Sequence, residues 1–374
     1  MMTAAGRDDQ GARISMGQYI ALMIVLVLST ADVFLPTIVT LYAGRDSWIS
    51  LGFAICVGVL IVVVQGKLAD RFRGLGLAEY LPALVGRPVA FTLLALYAAY
   101  TIHICAIILR ELAELINTAL LPLTPHLTVI ALAVGFATYT VKCGIEVIAR
   151  VNQILFPVGM VVLVGIGLLV IPEVDFAIYR PVLERGVSPV LIGAVPVVAW
   201  FSELYLVLVL APEIDVPKGW SITRANVLVI LVLGVLMLIG PLAIGVFGER
   251  ETADMRFSAL ELVRTVRLAD FAERADAVVL SVWAGGIFIK IVVFYYVACT
   301  LLGQITKATT AMSYVYPVGA LLIASSMALF RDVADLKDFL TQTFPFYGGL
   351  FHFVLPFTIL LIAVIRKKGS KNAL

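Results

Sequence analysis

Five ionisable residues lie inside stretches that are otherwise apolar, and any chemistry of this chain must start from them. They are Asp32, His103, Arg110, Glu203 and Lys290. A charge at bilayer depth is costly, so such residues either compensate one another or form part of a site. Two acids and two strong bases balance when the histidine is neutral. Two interpretations fit this pattern: the charges form ion pairs that fix the helix register, or they form a ligand site.

The arrangement does not predict an enzyme. The acids lie in different segments, and the sequence contains no nucleophile–base pair, phosphate-binding loop or metal-ligand spacing. The cysteines, Cys56, Cys105, Cys143 and Cys299, are far apart, so we expect no metal, cofactor or disulfide framework. A net charge of +2 gives no indication of a nucleic-acid partner.

The composition predicts an all-α polytopic membrane protein. Hydrophobic residues make up 61% of 374 positions and charged residues 14%, against about 25% charged in soluble domains. A helix needs roughly 20 apolar residues to cross a bilayer, and ten segments meet that need: about 16–41, 47–66, 89–117, 127–142, 146–171, 188–211, 222–247, 277–303, 313–330 and 346–366. The tail 1–13 lacks a signal-peptide cleavage site, so we expect the first segment to be retained.

Lysine and arginine predict the orientation. With ten spans both termini share one side, which receives most basic residues, including the C-terminal "RKKGSK". The long opposite connection 248–276 holds five arginines offset by seven acids. We therefore predict that both tails, 1–13 and 369–374, are cytoplasmic.

Two connections predict short helices of their own. Gly76–Gly86 reads as an interfacial helix, and Phe257–Phe271 as an amphipathic one. The second helix either caps the outer mouth of a cavity or rests on the lipid interface.

Polar breaks in the first and sixth spans indicate a binding site. "LSTADVFLP", Leu28–Pro36, interrupts the first span, and Pro196 with Ser202–Glu203 interrupts the sixth. Broken helices at corresponding positions of two repeats are typical of transporter sites. Their free backbone groups suit a zwitterionic amino acid. We predict a five-plus-five inverted repeat within residues 14–368, with copies at about 14–172 and 186–368.

Five motifs carry a resemblance to a known family: "GRDSWIS" (Gly44–Ser50), "RELAEL" (Arg110–Leu115), "GIEVIARVNQILFP" (Gly144–Pro157), "YRPVLERGVSPVLIG" (Tyr179–Gly193) and "ERADAVVLSVW" (Glu273–Trp283). In this order they resemble the endospore germination permeases, the B subunits of spore germinant receptors in the amino acid–polyamine–organocation superfamily. The resemblance extends from Ile14 to Lys368. It implies a LeuT-like fold of ten helices, in which spans 1, 3, 6, 8 and 10 surround the ligand.

The resemblance also bears on individual residues. Glu203 falls where many relatives keep an acid in the sixth helix, and Arg110 and Trp283 also match. Relatives tend to have glycines in the first break, where this chain has Ser29–Asp32. Because spans one and eight are neighbours in this fold, we hypothesise that Asp32 pairs with Lys290 and removes any need for sodium. The alternative is that Lys290 snorkels or pairs with Glu203.

The candidate site residues follow from these arguments. Those expected to bind ligand are Ser29, Thr30, Ala31, Asp32, His103, Ile107, Trp200, Phe201, Ser202, Glu203, Lys290 and Phe294. Those expected to serve as structural or coupling charges are Arg110, Glu114, Glu146 and Arg150. For His103, hydrogen-bonded packing is the more common role.

The resemblance implies a germinant-sensing subunit in the spore inner membrane, assembled with a larger A subunit and a lipoprotein C subunit. Its ligand would be a small germinant, an amino acid first and a nucleoside second. The alternative is a stand-alone proton-coupled amino-acid transporter on the same fold. Fold alone does not separate a sensor from a carrier.

Overall fold

The computed structural model describes residues 13–265 and 272–369. Most of both tails predicted to be cytoplasmic, 1–12 and 370–374, lies outside the described residues, as does 266–271 of the predicted amphipathic helix. The described chain is mostly helical. Its two short strands pair in parallel, β1 (Ile14–Ser15) with β2 (Ile214–Asp215).

The α-helices follow one another with short connections. They are α1 Met16–Ala43, α2 Ser47–Arg71, α3 Leu77–Val85, α4 Arg87–Ala119, α5 His126–Lys142, α6 Ile145–Val170, α7 Ser188–Phe201, α8 Val207–Leu210, α9 Ile222–Leu236, α10 Leu242–Phe247, α11 Glu249–Asp254, α12 Ser258–Thr265, α13 Ala272–Thr306, α14 Val315–Ala328, α15 Val333–Asp338, α16 Phe344–Gly349 and α17 Leu355–Ile365.

Eight continuous helical stretches within the described residues are long and apolar enough to cross a membrane. The first of them, Met16–Arg71, contains both α1 and α2, and His126–Lys142 is a shorter apolar helix. This architecture is that of an integral membrane protein, as the composition predicts. The predicted short helices at 76–86 and 257–271 are present as α3 and, over its described part, α12.

Helix α1 lies at the centre of the bundle and is buried along most of its length. It begins with a capping box, in which Ser15 and Gln18 satisfy each other's backbone N–H groups. It packs against α6, α7, α9 and α13. Its side chains therefore reach most of the interior.

The predicted break in the first span is wrong, because α1 is a continuous α-helix through Leu28–Pro36. A proline inside a helix removes one backbone hydrogen bond and usually kinks the helix. Pro36 leaves the Asp32 carbonyl without its helical donor, but the helix continues to Ala43. Thr30 and Asp32 bond to side chains of other helices instead of marking an opened backbone.

The interruption predicted in the sixth span is present at Ser202–Glu203 but not at Pro196, which lies inside the continuous helix α7. Helix α7 ends at Phe201 and continues as a 3-10 segment, Ser202–Leu206, before α8. A 3-10 segment inside a helix often marks a hinge or a functional position. It reorients the side chains that follow, and Glu203 is among them.

Spans seven and ten carry interruptions that the sequence did not predict. A 3-10 turn, Met237–Ile239, separates α9 from α10. The last span contains two π-helical segments, Phe339–Thr343 and Leu350–Val354, and begins at Val333 instead of about 346. Asp332 starts it by accepting two backbone N–H bonds. π-Segments occur often at functional sites.

Candidate functional site

Lys290 on α13 is almost completely buried and belongs to a compact ionic centre. Its Nζ donates to both oxygens of Glu203, at 2.7 and 2.9 Å, and to the Thr30 hydroxyl at 2.8 Å. Both members of the pair are at most 2% exposed. The predicted Asp32–Lys290 pair is therefore wrong, and the alternative pairing with Glu203 is confirmed. The 3-10 turn at Ser202 brings Glu203 to α13, which the continuous α1 does not do for Asp32.

Thr30 joins three helices at this centre. Besides the bond from Lys290, its hydroxyl accepts a hydrogen bond from Trp200 Nε1 at 2.9 Å. Helices α1, α7 and α13 thus meet at one oxygen atom. Ala31, the next residue, is wholly buried and small.

Asp32 has a different partner. Its Oδ2 accepts a hydrogen bond from Trp283 Nε1 at 3.0 Å, and the residue is 4% exposed. Its second oxygen makes no hydrogen bond or ion pair with the described residues. The carboxylate therefore keeps acceptor capacity that the protein itself does not use.

A cavity of about 70 Å³ lies directly beside this carboxylate. Its walls come from α1, α6, α12, α13 and the 3-10 turn of span seven, and they include Ser29, Asp32, Gly159, Trp283 and Gly286. The volume exceeds the 10–15 Å³ or so that one water needs. Helix α12 covers one side of the cavity, as one of the two predicted roles for the amphipathic helix requires.

Glu111 on α4 is a buried acid that the sequence reasoning missed. It is 2% exposed and interacts electrostatically with Lys290 and Glu203. Its carboxylate forms no hydrogen bond within the described part of the chain. The signal was present, since Glu111 lies in an apolar segment beside Arg110.

A second missed group is His352, in the π-segment Leu350–Val354 of the last span. Its Nδ1 bonds the Ser202 hydroxyl and its Nε2 the Tyr100 hydroxyl, both at 2.7 Å. Gln65 Nε2 donates to the carbonyls of Ser202 and His352 at 2.9 and 2.8 Å. This network fixes the start of the 3-10 segment that carries Glu203.

The other predicted ligand residues do not line the cavity beside Asp32. His103 is partly buried and bonds the Tyr347 hydroxyl at 3.2 Å, which is the packing role. Phe294 lies 5.9 Å from the Lys290 ammonium. Ile107 and Phe201 are buried in the core. Of the predicted set, only Ser29 and Asp32 face the cavity.

The predicted structural charges form ion pairs within their own helices. Arg110 bonds Glu114 at 2.9 Å, buried on α4, and His126 approaches the same carboxylate at 3.2 Å. Arg150 bonds Glu146 at 2.5 Å on the exposed side of α6. The i,i+4 spacing of both pairs explains their formation.

The arrangement of the helices defines the class of the protein. The structure is similar to that of MhsT in complex with L-phenylalanine, with a TM-score of 0.70 and 16% identity over 99% of this chain and 92% of that one. It is also similar to Mhp1, a nucleobase-cation-symport-1 family transporter, with a TM-score of 0.59 and 16% identity over 89% and 77% of the two chains. The fold is that of the LeuT-type membrane transporters.

Sequence relationships identify the family within that class. The family described as "Spore germination protein" matches residues 13–331, and the chain belongs to it. Spore germination protein KB of Bacillus subtilis (strain 168) is 25% identical over 97% of both chains. Spore germination protein XB of Bacillus anthracis is 25% identical over 96% of this chain and 100% of the relative.

Proposed function

We propose that this chain is the membrane-embedded germinant-sensing subunit of a spore germination receptor. A small germinant binds in the cavity beside Asp32, and the resulting change in the helix bundle passes to partner subunits. The observation that carries the proposal is a partly unpaired, buried carboxylate facing a cavity between helices in a spore germination protein.

The geometry supports a route from ligand to conformational change. Asp32 and Thr30 lie on α1, and their partners Trp283 and Lys290 lie two turns apart on α13. A ligand that competes for the Asp32 carboxylate loosens its bond to Trp283. Any shift of α13 against α1 then acts on the Lys290–Glu203 pair, and so on the 3-10 segment of span six.

Further parts of the proposal come from the family. We infer ten spans arranged as an inverted repeat at about 14–172 and 186–368, with both termini cytoplasmic and the protein in the spore inner membrane. The partners are a larger A subunit and a lipoprotein C subunit. An amino acid is the first ligand class to test, and a nucleoside the second.

A pair of variants on α6 tests the site. Gly159 lines the cavity, whereas a Cβ at Gly165 on the same helix would have no neighbour within 4 Å apart from the backbone of that helix. We expect Gly159→Leu to abolish thermal stabilisation of the purified protein by the amino acid or nucleoside that binds the parent. Spores carrying this variant should also lose their response to that compound. Gly165→Leu should resemble the parent in both assays.

The same variants can also contradict the proposal. If Gly159→Leu spores germinate normally and the purified variant still binds, the cavity is not the sensing site. Accumulation of the labelled ligand in proteoliposomes that contain this chain alone would favour the carrier instead.

A further inference from the structure

The cavity beside Asp32 presents one kind of charge. Asp32 is the only ionisable side chain among the described residues that line it, and the remainder are mostly aliphatic, aromatic or glycine. The Ser29 hydroxyl, in the same wall, donates to the Leu26 carbonyl of its own helix at 3.4 Å. The described wall therefore holds a free carboxylate oxygen and no basic side chain.

A ligand carboxylate would have no partner here. The backbone N–H groups of a broken helix can bind a carboxylate, but α1 is continuous past Asp32 and uses them internally, and at the 3-10 turn of span seven the Gly240 N–H donates to the Met237 carbonyl. The nearby ammonium of Lys290 is occupied by Glu203 and Thr30. A ligand carboxylate in the cavity would instead face the Asp32 carboxylate, and like charges in a desolvated site repel strongly.

A ligand ammonium would have a partner in Asp32. A carboxylate forms short, charge-assisted hydrogen bonds with an ammonium group, and the Trp283 ring adds apolar surface to the same wall. Hard metal ions such as Ca²⁺ require about six or more oxygen ligands, and the described side chains of this wall supply few. The charge and the apolar wall fit an organic cation.

We propose that the cavity recognises an organic ammonium ion with an apolar body: the amine binds Asp32, the hydrocarbon body packs against the walls, including Trp283, and the ligand needs no carboxylate. The inference rests on the proposed function and changes its first ligand class from amino acids to amines that lack a carboxylate. An amine should bind more tightly than the amino acid with the same side chain.

Four compounds with one branched skeleton test this. Isothermal titration of the purified chain in nanodiscs at neutral pH would compare isoamylamine, L-leucine, isopentanol and isovalerate. We expect isoamylamine to bind tightest, with L-leucine, the same amine plus a carboxylate, weaker by roughly tenfold or more. Isovalerate should not bind. Replacing KCl by NaCl should leave the amine affinity unchanged.

Substitutions locate the effect. Asp32→Asn should lower the affinity for isoamylamine by about tenfold or more and leave isopentanol unaffected. Asp46→Asn is the matched control, since Asp46 is equally buried but binds the Leu183 backbone N–H away from the cavity. The four-compound comparison on the unmodified protein decides the matter even where Asp32→Asn does not fold.

Three results would overturn the inference: tighter binding of L-leucine than of isoamylamine, binding of none of the four compounds, or competition by sodium. Tighter L-leucine binding that Gly159→Leu removes would leave the proposed function intact. Germination that is indifferent to Gly159→Leu would overturn the proposed function itself.

Discussion

The Lys290 ammonium binds both carboxylate oxygens of Glu203, a residue 87 positions earlier in the chain. The contact joins α13 to the 3-10 segment of span six in a region without solvent exposure. Removing one member of a buried pair leaves an uncompensated charge, whereas replacing both members often costs little.

We therefore predict strong coupling between these two residues. Lys290→Met alone and Glu203→Leu alone should each lower the free energy of unfolding by about 3–5 kcal/mol. The double variant should lose much less than the sum. SDS titration in mixed micelles measures these values. Combining Lys290→Met with Asp32→Asn provides the control, and a comparable departure from additivity there would indicate that Lys290 also depends on Asp32.

We predict opposite effects on stability for alanine substitutions at two adjacent glycines of α13. A Cβ at Gly286 would lie 2.9 Å from the Ser29 Cβ, whereas one at Gly285 would have its nearest neighbour, Leu155 Cδ1, at 3.8 Å. Gly286→Ala should destabilise the protein by about 1–3 kcal/mol through overpacking of α1. Gly285→Ala should be neutral or slightly stabilising, because alanine favours the helix. Equal effects of the two variants in the same unfolding assay would contradict this packing.

The Thr30 hydroxyl accepts two hydrogen bonds, and we predict that the stability of the protein depends on both. Thr30→Val keeps the shape but leaves Trp200 Nε1 and one Lys290 hydrogen unpaired in the core. We expect a loss of about 1–3 kcal/mol for each unsatisfied group and a changed tryptophan emission spectrum. Thr30→Ser retains the hydroxyl and should restore most of the loss. A serine variant as unstable as the valine one would point to the methyl group instead.

Two histidines allow a matched comparison. His352→Phe removes the ring partner of two buried hydroxyls: that of Tyr100, and that of Ser202, which keeps its bond to the Ala199 carbonyl. His103→Phe removes one contact at a partly buried site. We expect His352→Phe to cost several kcal/mol of stability and to weaken ligand binding through the shifted 3-10 segment, and His103→Phe to cost little. Thermal unfolding and the titration described above measure both effects. A larger loss for His103→Phe would contradict the structural role assigned to His352.

Much of the fold could be predicted because each bilayer crossing requires a long apolar segment, and those segments are visible in the sequence. The start of the last span was missed because Asp335, Lys337 and Asp338 make its first turns polar. Helix interruptions were less predictable. Serine, threonine and aspartate at Leu28–Pro36 resemble a break, yet in the continuous α1 Thr30 and Asp32 are the bonding partners of α7 and α13, and Ser29 bonds a carbonyl of its own helix.

Three buried charges of the candidate site could be predicted from the sequence, but their pairings and most of the cavity wall could not. Asp32, Glu203 and Lys290 stood out because charges are rare in apolar segments. Which acid meets the lysine depends on the direction that a short 3-10 turn gives to Glu203. That direction is set by contacts with His352 and Gln65, far away in sequence. Single-sequence patterns carry no record of such contacts.

The parallel pairing of β1 with β2 links the start of α1 to the chain just beyond α8. The pairing holds these two segments of the chain together. An opening of the bundle on this side would have to move both segments together or break the strand pairing.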